Sequence, residues 1–160
     1  MGAFEIFPIK INLKGISHYV VKILELSAKE KNISIKDNIT ETNVFADEDC
    51  ARTILSNLVS NAIKYTVRGG EIKLSSKPNG NLVEITVEDN GVGMAESTIE
   101  KLFSITEKVS GVGTEDELGT GLGLILCKEL VEKNNGKIWI ESELGKGSKV
   151  TFSLPKEKSI

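Results

Sequence analysis

Two amides, an ammonium and a phenol recur at a spacing that could bring them together. They stand at positions i, i+4, i+7 and i+8: Asn57, Asn61, Lys64 and Tyr65. In a helix this spacing places them on one face. An amide oxygen can ligate Mg²⁺, and a lysine ammonium can neutralise a phosphate oxygen. The pattern is compatible with a metal-bound phosphate site, although a solvated helix face has the same composition.

A carboxylate followed by two glycines closes a segment of alternating residues. Within Asp89-Asn90-Gly91-Val92-Gly93, the carboxylate can accept a hydrogen bond from an amino group. Gly91 and Gly93 carry no side chain, so a flat ligand could approach the backbone there. An ordinary turn has the same residues, and both interpretations stay open at this point.

A second glycine-rich segment leads directly into an amphipathic pattern. It reads Gly119-Thr120-Gly121-Leu122-Gly123-Leu124. Free backbone N–H groups at the start of a helix can bind phosphate oxygens. The dinucleotide-binding fingerprint is excluded because Leu124 replaces its third glycine, and the chain contains no GxxxxGK[ST] motif. Anion binding and a plain glycine-rich loop both remain possible.

The elements that must position these residues follow from hydrophobic periodicity. Helices are predicted from Leu13 to about Lys31, from about Glu48 to Tyr65 after an Asp47 N-cap, near Ala95 to Phe103, and from Leu122 to Asn134. The segments predicted to be extended are Phe4 to Asn12, Ile33 to Lys36, Val44 to Ala46, Glu71 to Lys77, Leu82 to Glu88, Lys137 to Ser142 and Lys149 to Leu154. A turn is predicted at Pro78-Asn79-Gly80-Asn81. This order favours a single α+β domain over residues 1–160, a two-layer sandwich with helices on one face of a largely antiparallel sheet.

The bulk composition narrows the class of protein. The net charge of −3 disfavours a nucleic-acid-binding surface, and the apolar runs are shorter than a membrane span requires. Cys50 and Cys127 show no pairing motif, so we expect two reduced thiols, a cytoplasmic location and no membrane contact by this domain. A zinc site lacks ligands, because His18 is the only histidine.

In combination, the three motifs resemble those of the GHKL ATPase superfamily, and within it the catalytic domain of sensor histidine kinases. Asn57 to Thr66 resembles the N box, Asp89 to Met94 the first glycine box and Gly119 to Leu124 the second. The ending from Gly136 to Pro155 is also similar to the family pattern. The resemblance covers nearly the whole chain and implies a mixed five-stranded sheet covered on one face by three helices.

The resemblance implies roles in binding ATP and Mg²⁺. Asn61 would ligate Mg²⁺, and Tyr65 would lie near the nucleotide. Lys64 would contact the phosphates, and Asn57 would support the phosphate end of the site. Asp89 would take the adenine amino group in a pocket shaped by Gly91 and Gly93. The remaining implied contacts are to phosphates: Gly119, Thr120, Gly121, Leu122 and Gly123, with Lys108 from the ATP lid between about Ala95 and Leu118.

Two features depart from the family pattern. Ser104-Ile105-Thr106 follows Phe103 where a second phenylalanine is common, so the F box is partial. His18 lacks the acidic neighbour that usually follows the phosphoacceptor histidine, because Tyr19 follows it. The resemblance therefore implies that the acceptor lies on a dimerisation hairpin upstream in a longer protein, and that this domain alone is a monomer.

The implied reaction is transfer of the ATP γ-phosphate to that histidine, followed by transfer to a response-regulator aspartate. A hydrolytic GHKL ATPase is one alternative, but those enzymes carry a water-activating Glu where this chain has Asn57, and an amide cannot act as a base. Anti-sigma-factor serine kinases and mitochondrial-type protein kinases share the implied fold. A non-catalytic nucleotide-binding scaffold is a further alternative.

Overall fold

The computed structural model describes residues 5–101 and 123–157. Its helices are α1 (Leu13–Glu30), α2 (Glu48–Tyr65), α3 (Glu96–Lys101) and α4 (Gly123–Lys133). Its strands are β1 (Ile9–Asn12), β2 (Ser34–Asn38), β3 (Asn43–Ala46), β4 (Glu71–Asn79), β5 (Leu82–Asp89), β6 (Ile138–Glu143) and β7 (Gly147–Pro155). The predicted helix ends at Leu122 and Phe103 fall outside the described residues.

Five strands form one mixed sheet in the order β2-β4-β5-β7-β6. Strand β2 pairs with β4 in parallel, and the other neighbours pair antiparallel. The predicted α+β sandwich with a mostly antiparallel five-stranded sheet is therefore confirmed. A separate antiparallel pair, β1 with β3, was not anticipated, since the sequence does not show which short strands will meet.

The predicted four-residue turn between β4 and β5 is too long. The ladder continues through Pro78 opposite Val83 to Asn79 opposite Leu82, which leaves Gly80 and Asn81 as the turn. Proline is tolerated there because β2 ends opposite Ser75, so the last residues of β4 have no partner on their other side within the sheet. Gly80 takes the positive φ (62°) that a two-residue hairpin turn favours.

The hydrophobic core lies between the sheet and the helices α1, α2 and α4. Alternating residues of the central strands point into it: Ile72, Leu74, Val83, Ile85, Val87, Phe152 and Leu154. Helix α2 is central and contributes the residues of its apolar face: Ile54, Leu55, Leu58, Val59, Ala62 and Ile63. The opposite sheet face is polar, with Glu88 between Lys73 and Lys149 on the neighbouring strands. The apolar core occupies one face because side chains alternate along each strand, and the buried residues of β7 on the other face, Thr151 and Ser153, are polar.

Helix α2 begins at the predicted N-cap. Asp47 Oδ1 accepts a 3.0 Å hydrogen bond from Cys50 N, and Oδ2 accepts one of 2.8 Å from Phe7 N. Burial alone would raise the pKa of Asp47, but the N–H donors of Phe7 and Cys50 outweigh it and lower the pKa. The carboxylate therefore holds both the first turn of α2 and the segment that enters β1.

The amino end of α2 is also tied to the carboxyl end of α4. Asp47 N donates to Asn134 Oδ1 at 2.8 Å, and Asn134 Nδ2 donates to Leu130 O at 2.7 Å. Asn134 is buried, so these groups have no solvent alternative. Asn135 follows with a φ of 63°, and Gly136 N donates to Val131 O, which ends α4 with a left-handed asparagine cap.

The two cysteines are free and buried, Cys50 in α2 and Cys127 in α4. Within the described ranges, no helix is long and apolar enough to cross a bilayer.

Replacing Asn134 with alanine tests this link between the two helices. We expect Asn134→Ala to lower the free energy of unfolding by about 2–3 kcal/mol, because it leaves buried backbone groups without their partners. Urea denaturation measures the change. Asn38→Ala, at an exposed position of β2, should change it by less than about 0.5 kcal/mol. Equal effects from the two substitutions would mean that Asn134 does not join the helices.

Candidate functional site

The site begins where the second half of α2 meets the first residue of α4. A Cβ added to Gly123 would lie 3.8 Å from Asn61 Nδ2. The polar arc of α2 and the end of the second glycine-rich segment therefore face each other across the helix layer. Gly119, Thr120, Gly121 and Leu122 lie outside the described residues, as does Lys108, so their predicted phosphate contacts stay predictions.

Asn57 lies one helical turn before Asn61 and faces α4. Its side chain hydrogen-bonds to the Cys127 thiol, whose Sγ in turn contacts Ile54 O at 3.7 Å. Cys127 is fully buried, and this burial raises the pKa of its thiol to about 12. Such a thiol is not reactive at neutral pH. Cys127 therefore acts as a packing residue that fixes Asn57 between the two helices.

The last turn of α2 carries the other two residues of the arc. Lys64 Nζ lies 4.9 Å from the centroid of the Tyr65 ring. Both side chains are partly exposed. This places an ammonium and an aromatic ring together beside the loop that follows β5, because Val92 N in that loop donates to Tyr65 O at 3.2 Å.

Asp89 closes β5 with a partly buried carboxyl group. Its Oδ1 accepts a 2.9 Å hydrogen bond from Gly91 N, and the backbone N–H of Ser148 also donates to the carboxylate. Burial raises the pKa of Asp89, against the opposing effect of these two donors. The group is thus held in one orientation at the carboxyl end of the central strand, where it can accept a further hydrogen bond.

The structure shows why glycine is required at two positions shortly after Asp89. A Cβ on Gly91 would come within 2.2 Å of Tyr65 O, and one on Gly93 within 2.0 Å of Glu143 O. Gly93 also has a φ of +70°. These positions admit no side chain because the protein's own backbone approaches there. The glycines shape the site by letting the loop pack against α2 and β6, and their contact with a ligand stays a prediction.

Two serines of the last hairpin support the same loop, and sequence analysis missed them. Ser142 Oγ accepts a 2.8 Å hydrogen bond from Met94 N, donates to Gly147 O and lies 2.8 Å from Ser148 Oγ. The available signal was their placement on either side of the Gly145-Lys146-Gly147 turn. That placement does not reveal which other loop the hairpin would contact.

Two other features lie away from this site. A cleft of about 570 Å³ lies against Lys10, Phe45, Lys77 and Lys156, and none of the predicted site residues that the structure describes lines it. His18 is exposed on α1, in the first half of that helix.

The donors present fit a magnesium ion that is shared with a phosphate. Asn61 offers one neutral amide oxygen, and Lys64 adds positive charge one turn later. In the part of the chain that the structure describes, no group of three His, Cys, Asp or Glu side chains could hold a metal by itself. Mg²⁺ commonly takes one or two protein ligands and completes its shell with water and substrate phosphates. Among its described residues, the site therefore holds no set of protein ligands that would bind a metal without the substrate.

Comparison with known proteins agrees with this fold and arrangement. Residues 46–158 match the family described as histidine kinase-, DNA gyrase B- and HSP90-like ATPase. The chain belongs to this family. Within it, the chain is similar to sensor histidine kinases and to the catalytic domain of one of them.

Two curated relatives are sensor kinases. The sensor histidine kinase WalK of Bacillus subtilis (strain 168) is 36% identical over 131 residues, which cover 79% of this chain and 21% of WalK. The adaptive-response sensory kinase SasA of Synechococcus sp. (strain JA-2-3B'a(2-13)) is 36% identical over 154 residues, which cover 94% of this chain and 40% of SasA. The chain therefore spans less than half the length of these relatives.

Solved structures show the same likeness. The catalytic domain of histidine kinase ThkA superposes with a TM-score of 0.82 at 27% identity, covering 96% of this chain and 100% of that one. Full-length ShkA, in complex with AMPPNP, has a TM-score of 0.82 at 27% identity and covers 99% of this chain and 33% of its own. ThkA in complex with response regulator protein TrrA has a TM-score of 0.74 at 28% identity, covering 94% and 42%.

The close approach at Gly91 is tested with a single methyl group. We expect Gly91→Ala to lower the free energy of unfolding by at least about 2 kcal/mol, since the Cβ would overlap Tyr65 O. Gly15→Ala in α1 is the matched control, because the nearest atom outside its own helix backbone is 3.9 Å from the added Cβ. That control should raise stability by about 0.5 kcal/mol. If Gly91→Ala is as stable as the unsubstituted protein in urea, the loop does not pack on α2 as described.

Proposed function

We propose that this chain binds Mg-ATP and delivers the γ-phosphate to a histidine on a separate helical dimerisation hairpin, in two-component signal transduction. The observation that carries the proposal is the position of Asn61 beside Gly123 at the start of α4. An amide that can hold a metal and the N-terminus of a helix face each other there, and both favour a phosphate. Membership of the family and the similarity to sensor kinases support the same reaction.

The phosphate end of the substrate would lie along the seam between α2 and α4. Asn61 would hold Mg²⁺, and Lys64 and Asn57 would orient the triphosphate. The backbone N–H groups from Gly119 to Gly123 would cradle the phosphate oxygens, with Lys108 as a further contact. The bound metal would neutralise charge on those oxygens, so the protein's task is positioning and electrostatic stabilisation.

The base end would lie toward Asp89. Its carboxylate, held by Gly91 N and Ser148 N, would accept from the adenine amino group. Gly91 and Gly93 would bound that pocket, and the Tyr65 ring would lie near the nucleotide. The distance along the site from Asp89 to Asn61 would then be spanned by one nucleotide, with the γ-phosphate toward α4.

Transfer is favoured over hydrolysis by the contacts of Asn57. Water-activating carboxylates occupy this position in hydrolytic GHKL enzymes, but an amide cannot accept a proton. Here the amide is also engaged by the buried Cys127 thiol. The residue is thus placed to hold the helix seam and the phosphates, and the chain itself offers no general base at that point.

The proposed partners are the dimerisation hairpin that carries the acceptor histidine and, downstream, the receiver domain of a response regulator. The structure of ThkA with a response regulator supports the second partner by similarity. We propose a cytoplasmic site of action, a monomer for this domain alone, and no contact with nucleic acid or membrane, in keeping with the net charge of −3.

The metal role of Asn61 provides the first test. We expect Asn61→Ala to abolish the Mg²⁺-dependent part of AMPPNP binding in calorimetric titrations, because it removes the amide ligand. Its thermal unfolding should change little, since Asn61 lies on the polar side of α2. The same substitution should abolish transfer of labelled phosphate from ATP to a separately supplied histidine hairpin.

Ser60→Ala, at an exposed neighbouring position, is the matched control and should bind AMPPNP like the unsubstituted chain. Unchanged Mg²⁺-dependent affinity in Asn61→Ala would refute the metal role. If the unsubstituted chain binds AMPPNP but labels no hairpin, a nucleotide-binding scaffold replaces the kinase proposal. Release of inorganic phosphate without hairpin labelling would instead indicate a hydrolytic ATPase.

The base end is tested at Asp89. We expect Asp89→Asn to weaken ATP binding about tenfold and to leave binding of inorganic triphosphate unchanged, because only ATP presents an amino group to the carboxylate. Glu88→Gln, which alters the exposed carboxylate next in sequence, should affect neither ligand. Equal weakening of ATP and triphosphate by Asp89→Asn would contradict adenine recognition there.

A further inference from the structure

The carboxyl end of α2 is closed differently from the ends of α1 and α4. Just beyond the end of α1, Asn32 has a φ of 53°, and just beyond the end of α4, Asn135 has a φ of 63°. Both are left-handed caps, which satisfy the last carbonyls locally. The C-cap of α2 is Thr66, whose backbone is extended (φ −96°, ψ 135°). The last carbonyls of α2 therefore need partners from elsewhere in the chain.

Lys31 supplies partners for two of them. Its ammonium donates to Ile63 O at 2.9 Å and to Lys64 O at 3.1 Å. Lys31 is only 5% exposed, although lysine side chains are almost never fully buried. A positive charge at the carboxyl end of a helix is also favoured by the helix dipole.

The next carbonyl of the same turn is taken by the loop that follows Asp89. Tyr65 O accepts from Val92 N at 3.2 Å. Lys31 and Val92 thus hold consecutive carbonyls from two sides. The backbone of Lys31 is itself fixed, because its own carbonyl accepts from Gly69 N at 3.0 Å.

We propose that Lys31 is a positioning residue of the nucleotide site: its ammonium closes the carboxyl end of α2 and so sets the direction of Lys64 and Tyr65. The inference rests on the proposed function, because it assigns Lys31 to the site that binds ATP. Lys31 acts on the ligand through the last turn of α2 and the Asp89 loop, and it does not act on the reacting atoms.

The buried ammonium gives Lys31 a role that an apolar packing residue could not fill. A methionine of similar length would fill the same space without the desolvation cost of a buried charge. What methionine cannot do is donate to two carbonyls in a defined direction. Lys31→Met should therefore perturb the geometry of the α2 terminus more than it perturbs the packing of the core.

The experiment combines nucleotide affinity with local hydrogen exchange in the 160-residue chain. We expect Lys31→Met to weaken Mg-AMPPNP binding about tenfold, the order of loss seen when a partner that orients a site is removed. Exchange of the Val92 amide in the nucleotide-free protein should accelerate by about tenfold or more, because its acceptor turn opens more often. Lys31→Arg, which keeps a cationic donor, should restore most of both properties.

Two controls separate positioning from loss of stability. Lys29→Met removes a lysine whose side chain is 71% exposed on the same helix, and it should leave the Kd unchanged. Ile16→Ala removes buried apolar contact in the first half of α1, away from the α2 terminus, and should lower the unfolding free energy with no change in Kd while the protein remains folded.

The inference is overturned if Lys31→Met keeps either the Kd for Mg-AMPPNP or the Val92 exchange rate of the unsubstituted chain. It is also overturned if Ile16→Ala weakens binding as much as Lys31→Met does. If the unsubstituted chain does not bind AMPPNP, the proposed function fails and this inference fails with it. If the unsubstituted chain and Lys31→Met bind AMPPNP equally well, this inference fails and the proposed function stands.

Discussion

Helix α2 is stable in this fold because both of its ends find hydrogen-bond partners in other parts of the chain. A helix leaves backbone donors unsatisfied at its start and acceptors unsatisfied at its end. Asp47 and Asn134 close the first end, and Lys31 and Val92 close the second. These groups come from all parts of the chain. Satisfying one central helix therefore holds the end of α4 at its start and both α1 and the loop after β5 at its end, and the candidate site lies along its second half.

The candidate site also requires that the loop after Asp89 pack closely against the backbone of neighbouring elements. The loop after Asp89 lies against Tyr65 on one side and against Glu143 on the other, at distances that exclude a Cβ at Gly91 and Gly93. Asp89 is thereby held at a fixed place relative to the polar face of α2. The glycines are thus first a requirement of the protein's own packing, and the shape of the pocket is its consequence.

Two amide side chains of α2 lie against helix α4. Asn57 bonds to the buried thiol of Cys127, and Asn61 lies beside the first residue of α4. The α2–α4 seam consequently combines two amide groups with the first residue of α4, and the ammonium of Lys64 lies in the last turn of α2, over the Tyr65 ring. This combination suits the positioning of a triphosphate, since phosphoryl transfer requires orientation and charge neutralisation more than a protein nucleophile.

Features that depend on residues a few positions apart could be predicted from the sequence. Period-two and helical patterns predicted the sandwich and the polar face that holds Asn61, and residue type predicted the N-cap at Asp47. The pairing of β1 with β3, the support of Met94 by Ser142 and the closure of α2 by Lys31 became visible only in the folded chain. Such contacts join residues whose separation along the chain carries no periodic signal. They are selected by which buried backbone groups still need a partner once the core has formed.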